Sequence, residues 1–307
     1  MAPLPRRALI RTALAAPVAF PARAQTGRPV VVASKLDTEG ALIGQMMLQV
    51  LQRRGVPVQA RLQLGPTAVV RRAILAGEVD LYPEYTGNGA FFFQMDTDPA
   101  WRRGDTAYEK VRTLDAERND VVWLKPAPAN NTWAIAVRAD LAGSANLRTM
   151  EDLARHIAAN GAFKLAASAE FVESPAALPS FQRTYGFTLS PERLLVLAGG
   201  DTAVTMRAAA ERLNGVNAAM VYGTDGAIAA LDLRVLEDTK GAQIVYEPAA
   251  CVRGAIARAT PGLAEWMAPV FDSLSLTRLQ ALNARIVVEG RPVAEVAREH
   301  LRGLGLA

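Results

Sequence analysis

Four aromatic residues stand where predicted strands end or where the chain is predicted to pass between lobes: Tyr85, Trp133, Tyr222 and Tyr246. Taken singly, each is explained at least as well by packing against a core. Aromatic residues make up only 6% of the chain, so four at such positions favour one shared site. Tyrosine and tryptophan faces attract a cation by about 0.5–2 kcal/mol per ring. The four rings therefore predict a cage for a methylated ammonium group, which has no N–H to donate.

The segment from Tyr82 to Asn88 (YPEYTGN) follows the predicted buried strand Val79–Tyr82. We expect Pro83 to stop this strand, because proline cannot donate to a sheet ladder, and Gly87 to permit a tight turn. The two tyrosines would then stand on a rigid turn at a strand end. A turn whose tyrosines pack on the core is an equally good interpretation.

A zwitterionic ligand would also need hydrogen-bond donors for its carboxylate. Lys35, between a predicted strand and a helix N-terminus, is one candidate, and Asn88 is another. Helix N-termini add positive potential. For Lys35, a solvated side chain is an equal alternative. An acidic residue facing the cage, such as Glu173, would instead favour a plain cation such as choline.

The sequence contains no G-x-S-x-G, Walker A or H-E-x-x-H motif. Glu84 and Asp225 form a conceivable acid–base pair, but nothing in their sequence context argues for a raised pKa. The single cysteine, Cys251, is predicted to be a small buried hydrophobe. The two histidines, His156 and His300, fall in predicted amphipathic helices. We expect no enzyme activity, no cofactor and no metal site.

The formal net charge is +4, from 34 basic and 30 acidic residues. No basic run with interleaved aromatic residues is present, so the sequence does not indicate nucleic-acid binding. This balance predicts a mixed, solvated surface, and we expect a monomer.

The first 24 residues predict a signal peptide. Arg6 and Arg7 lie in a basic region, and Ala13–Phe20 forms a short apolar core. An A-x-A cleavage pattern follows, so the mature chain would begin at Gln25 in the periplasm. General secretion is favoured over a twin-arginine signal, and a disordered N-terminal tail is the alternative interpretation.

Strands and helices alternate along the rest of the chain, which favours an α/β fold with parallel sheets. A helix is predicted over Glu39–Arg54, capped by Thr38. We predict two lobes, residues 25–130 with 244–307 and residues 131–243, joined by two hinge crossings. The segment Pro261–Gly305 is predicted to be helical and to return to the first lobe. A cleft between such lobes is where a small ligand binds.

Several segments of the sequence are similar to segments of a known family. They are SKLDTEGALIG (Ser34–Gly44), GEVDLYPEYTGN (Gly77–Asn88), PANNTWAIAVR (Pro128–Arg138) and NAAMVYGTDGAI (Asn217–Ile228). The chain resembles the glycine betaine/choline-binding proteins of osmoprotectant ABC importers. This resemblance implies a type II periplasmic-binding-protein fold, with two α/β lobes, two hinge crossings and a ligand cleft.

The resemblance also implies roles for individual residues. Tyr85, Trp133, Tyr222 and Tyr246 would form the aromatic cage. Lys35 matches a lysine that meets the ligand carboxylate, and Asn88 stands where relatives often have threonine. Many relatives carry an arginine clamp where this chain has Ser174. Losing a bidentate guanidinium implies weak glycine betaine binding or a different osmolyte.

The sequence thus predicts a periplasmic solute-binding protein that delivers a quaternary ammonium compound to an ABC transporter permease. A receptor for another organic cation or an amino acid is the first alternative. A non-transport enzyme or sensor on the same fold is the second, and it would need a nucleophile or an acid–base pair in the cleft.

Overall fold

The computed structural model describes residues 28–197 and 202–306. The predicted signal peptide and most of the Gly199–Thr202 turn lie outside these ranges. In the described part, ten strands form two five-stranded sheets with helices on their faces. None of the described helices combines the length and the apolar character needed to cross a membrane.

The strands are numbered in chain order. They are β1 (Val30–Lys35), β2 (Val58–Gly65), β3 (Leu81–Tyr85), β4 (Val121–Trp123), β5 (Trp133–Arg138), β6 (Leu165–Ser168), β7 (Leu194–Leu197), β8 (Ala218–Tyr222), β9 (Leu233–Val235) and β10 (Pro248–Arg253). The first sheet has the order β2-β1-β3-β10-β4 and the second the order β7-β6-β8-β5-β9.

The helices are numbered in the same way. They are α1 (Thr38–Arg53), α2 (Thr67–Leu75), α3 (Gly89–Phe92), α4 (Gly104–Asn119), α5 (Ala139–Ser144), α6 (Met150–Ala158), α7 (Ala169–Glu173), α8 (Leu178–Tyr185), α9 (Thr202–Ala210), α10 (Ala227–Ala230), α11 (Gly254–Ala259), α12 (Leu263–Ser273), α13 (Leu276–Val287) and α14 (Val293–Gly303).

The predicted α/β class is confirmed, but the prediction of parallel sheets is wrong for both lobes. In the first sheet, β1 is parallel to β2 and β3, while β10 is antiparallel to β3 and β4. In the second, β6 is parallel to β7 and β8, while β5 is antiparallel to β8 and β9. Strand β10 was not predicted from the sequence. In each sheet the antiparallel strand is the one that enters from the other sheet.

Each sheet is buried on both faces, so its central strands read as continuous apolar runs. In β1, Val30 and Val32 face one core cluster, and Val31 and Ala33 face another on the opposite side. This alternation follows from the two-residue period of a strand. Helices α1, α12, α13 and α14 cover the first of these faces.

Helix α1 begins one residue earlier than predicted. Its N-cap is Asp37, not Thr38, because the Asp37 carboxylate accepts a 2.6 Å hydrogen bond from the Gly40 N–H. Gly55, which follows the helix, adopts φ 72°, a conformation that glycine reaches without strain.

Strand β3 continues through Pro83, contrary to our expectation. Its pairing with β1 is at Leu81 alone, so beyond that point β3 has a ladder on one side only, to β10. Proline is tolerated there because no second neighbour needs its missing N–H. Tyr82 is consequently inside the strand and fully buried, not on the turn.

The chain passes from the first sheet to the second between Trp123 and Trp133, and it returns between Val235 and Pro248. A backbone hydrogen bond joins these two crossing segments. The Asn131 N–H donates to the Tyr246 carbonyl at 2.9 Å. The lobe boundaries after residues 130 and 243 stay predictions.

Candidate functional site

A cavity of about 820 Å³ lies between the two sheets. Its lining residues come from the first lobe, the second lobe and both crossings. All six residues singled out by the sequence line it: Lys35, Tyr85, Asn88, Trp133, Tyr222 and Tyr246. The structure therefore brings them together, while their individual roles toward a ligand stay predictions.

Trp133 and Tyr222 form an aromatic surface on the second lobe. They are directly opposite each other on β5 and β8, and their rings stack with centroids 6.3 Å apart and an interplanar angle of 22°. Phe171 supports the indole edge-on at 5.9 Å. Because both rings are fixed by strand pairing and by this packing, they present their faces without a large ordering cost.

Tyr246 belongs to the return crossing. Its backbone N–H donates to Asn130 Oδ1 at 2.8 Å, and its ring packs against Gly87. A Cβ at position 87 would lie 2.8 Å from Tyr246 Cδ1. The φ of Gly87 is not in the left-handed region. The turn thus needs glycine here for space and not for its backbone conformation.

Tyr85 ends β3 and is only 5% exposed. Its hydroxyl donates to Glu39 Oε1 at 2.8 Å. The Lys35 ammonium lies 4.2 Å from its ring centroid. The face of Tyr85 beneath Lys35 is therefore occupied by a cation of the protein itself.

Glu84 engages both residues that we expected to meet a ligand carboxylate. Lys35 Nζ lies 2.6 Å from Glu84 Oε1, and Asn88 Nδ2 donates to the same oxygen at 2.7 Å. Glu84 is fully buried, and the Tyr85 N–H donates to it as well. Sequence reasoning considered Glu84 only as an acid–base candidate. A charged residue within an apolar strand requires a buried partner, but the sequence does not show which residue that partner is.

Glu39 is a second buried carboxylate that the sequence analysis missed. It accepts hydrogen bonds from Tyr85, from Asn131 Nδ2 at 3.2 Å and from Asn283 Nδ2 at 2.8 Å. Within the described ranges no basic side chain forms an ion pair with it. Burial raises the pKa of Glu39.

The titratable lining of the cavity is mainly acidic. Four carboxylates contribute to it, namely Asp37, Glu39, Glu170 and Asp225, whereas Lys35 is the single basic residue among the described lining residues. Glu173, the acidic residue that the sequence offered as a candidate to face the cage, is exposed and does not line the cavity. It lies at the other end of the short helix α7 from Glu170.

Burial raises the pKa of the three cavity tyrosines, Tyr85, Tyr222 and Tyr246. All three hydroxyls are therefore neutral at physiological pH, and their rings act as uncharged π surfaces. The proposed acid–base pair is not assembled: Glu84 is held by Lys35, and Asp225 Oδ2 accepts the Tyr222 N–H at 2.8 Å.

Comparison with known proteins assigns a family to this architecture. Residues 28–303 match the family described as the substrate binding domain of ABC-type glycine betaine transport system. The chain is 55% identical over 281 residues to the glycine betaine-binding protein YehZ of Escherichia coli, covering 92% of each chain. It is 31% identical over 289 residues to a glycine-betaine-binding protein of Pseudomonas aeruginosa, covering 92% of this chain and 88% of that one.

Solved structures agree with this assignment. Apo YehZ from E. coli superimposes with a TM-score of 0.84 at 55% identity, covering 91% of this chain and 99% of that one. A glycine betaine/carnitine/choline ABC transporter structure gives a TM-score of 0.78 at 22% identity, covering 90% and 99%, and shows the shared fold. The predicted type II periplasmic-binding-protein fold is confirmed.

Proposed function

Because the chain belongs to the family of substrate-binding domains of ABC-type glycine betaine transport systems, we propose that it captures a quaternary ammonium osmoprotectant in the cavity between its lobes. The ligand would be glycine betaine or a related compound. It would be released to the membrane permease of an ABC importer.

The observation that carries this proposal is the convergence of four aromatic side chains, from two sheets and the return crossing, on one cavity. A trimethylammonium group is large, weakly hydrated and unable to donate hydrogen bonds. Ring faces can replace its hydration shell, and each desolvated ring contributes about 0.5–2 kcal/mol. We assign ring contacts to Trp133, Tyr222 and Tyr246, with Tyr85 contributing the surface that Lys35 leaves free.

The same proposal places the protein in the periplasm as a monomer without enzymatic activity. Support comes from the family, whose members deliver substrates and do not transform them, and from the engagement of Glu84 and Asp225 described above. The N-terminal signal peptide and lobe boundaries after residues 130 and 243 belong to the proposal as well.

Tryptophan fluorescence during titration with choline or glycine betaine tests this function. Trp133 lines the cavity, whereas Trp101 and Trp123 are buried in the first lobe. We expect at least one ligand to change the emission of the wild-type protein. In Trp133→Phe the change should disappear, while calorimetry should still detect binding because a ring remains.

Trp266→Phe is the matched control. Trp266 packs under Arg54 on the outside of the first lobe, 5.5 Å from its guanidinium carbon, so removing it should leave the ligand-induced signal intact. Absence of any heat or spectral change with every quaternary amine would refute the proposed function.

A further inference from the structure

Glu84 makes the contacts that the carboxylate of a zwitterionic ligand would be expected to make. It pairs with the single basic residue among the described lining residues, Lys35, at 2.6 Å, and it accepts the Asn88 amide at 2.7 Å. Because Glu84 is 0% exposed, water does not screen the attraction between the two charges. The positive charge that would attract a ligand carboxylate is thus already balanced inside the protein.

The remaining charged lining residues would repel a carboxylate. Asp37 and Glu170 contribute carboxylates to the cavity wall. Like charges close together in a partly desolvated cleft are unfavourable, and opposite charges are favourable. A ligand with a net positive charge is therefore attracted by the same groups that disfavour an additional anion.

The N-terminus of α1 offers no compensating anion site. Its N–H groups point toward the cavity end where Asp37 and Glu39 lie, but the Asp37 carboxylate already accepts the Gly40 N–H at 2.6 Å. The positive end of the helix dipole is consequently offset by the capping carboxylate of Asp37.

The described lining also holds one buried donor without a hydrogen-bond partner, Trp133 Nε1. It is uncharged. A neutral N–H contributes less than a guanidinium or ammonium does to holding a carboxylate, so it does not reverse the balance of charge.

From these contacts we propose that the cavity prefers a net-cationic quaternary amine, such as choline, over a zwitterion, such as glycine betaine. The inference rests on the proposed function, because it specifies the ligand charge at the same site. Glu84 and Glu170 are its determinants: Glu84 neutralises Lys35, and Glu170 adds negative charge at the cavity wall.

Three ligands with the same trimethylammonium head test the preference by calorimetry. Choline and glycine betaine methyl ester carry a net positive charge, and glycine betaine carries none. We expect both cations to bind the wild-type protein more tightly than glycine betaine by about tenfold or more, equivalent to 1.4 kcal/mol. The ratio should shrink as ionic strength rises, because salt screens charges at the cavity wall.

Two substitutions locate the effect. Glu170→Gln, at an exposed position, should reduce the choline-to-betaine affinity ratio severalfold. Glu84→Gln, of nearly equal volume, should leave Lys35 free to meet a carboxylate and shift the ratio further toward glycine betaine. Glu173→Gln is the matched control on the same helix, and it should leave the ratio unchanged because Glu173 does not line the cavity.

The outcomes separate this inference from the function beneath it. Equal or tighter binding of glycine betaine to the wild-type protein would overturn the preference for a net cation and leave the proposed function standing. An unchanged ratio in Glu170→Gln, which does not depend on the folding of the buried-site variant, would also overturn it. Failure of all three ligands to bind would reject the proposed function itself.

Discussion

Glu39 is a buried carboxylate satisfied by neutral donors alone among the described residues, from Tyr85, Asn131 and Asn283. Burial raises its pKa above that of the unfolded chain. A raised pKa stabilises the folded state below the unfolded pKa, and this contribution is lost as pH rises through the folded pKa. The folded protein therefore loses stability as Glu39 ionises.

Glu39→Gln tests this sign. The stability of the wild-type protein minus that of the variant should decrease as pH rises from about 4 toward neutrality, by about 1.4 kcal/mol per unit of pKa elevation. Urea denaturation across that range measures it. Tyr85→Phe removes a hydrogen bond that lowers the pKa of Glu39, so it should make the loss of stability with rising pH larger than in the wild-type protein. A constant difference between wild type and Glu39→Gln would contradict the assignment.

At this scale the sequence predicted the rings better than the charges. Tyr222 and Tyr246 were predicted because an aromatic residue at a strand end or crossing can be recognised from the sequence alone. The partnership of Lys35 with Glu84 was not found, since the two are 49 positions apart and meet only when β1 and β3 lie side by side. Ion pairs formed across a sheet have no local sequence signature.

Among the elements, α2 and α4 are joined by a buried ion pair. Arg71 donates to both oxygens of Asp115 at 2.7 and 2.6 Å. The same carboxylate accepts the indole N–H of Trp123 from β4. One fully buried side chain thus links two helices and an edge strand of the first sheet.

We expect Asp115→Asn to destabilise the protein by about 3–5 kcal/mol, because it leaves the Arg71 charge buried without an anion. Chemical denaturation measures the change. Asp272→Asn is the control: it removes the partner of exposed Lys125 and should cost about 1 kcal/mol or less. Similar effects of the two substitutions would show that the Arg71 pair adds little to the fold.

Element prediction succeeded where periodicity was long and failed where it was short. Helix α1 was found because Leu42, Met46 and Val50 recur at helical spacing, and all three are buried. Strand β10 was missed because a short run of small apolar residues preceding a helix has no distinct period. Its position between β3 and β4 is a property of topology, which local pattern does not encode.

At the scale of the whole molecule, helix α13 belongs to the first-lobe core and also touches the second lobe. Leu279 and Leu282 pack in that core. Gln280 Nε2 donates to the Gly223 carbonyl at 2.8 Å, and Asn283 Nδ2 to the Thr224 carbonyl at 3.0 Å. These contacts hold the lobes together beside the cavity.

Gly226 allows this approach, since a Cβ there would lie 2.3 Å from the Ala284 backbone nitrogen. Gly226→Ala should force the lobes apart and weaken ligand binding by about tenfold, equivalent to 1.4 kcal/mol. Small-angle X-ray scattering should show a larger radius of gyration than that of the wild-type protein. The control is Gly143→Ala, whose added Cβ meets no atom within 4 Å. An unchanged radius and affinity in Gly226→Ala would contradict a role for this contact in closure.

The position of Tyr246 in the return crossing has an engineering consequence. Its backbone forms hydrogen bonds with Asn130 and Asn131 of the other crossing, while its ring lines the cavity. The residue that we expect to contact a ligand thus lies in a segment that joins the two sheets. We expect a substitution at this position to change the connection between the two sheets as well as the ligand selectivity, so a biosensor built on this scaffold should take its specificity changes from Trp133 and Tyr222.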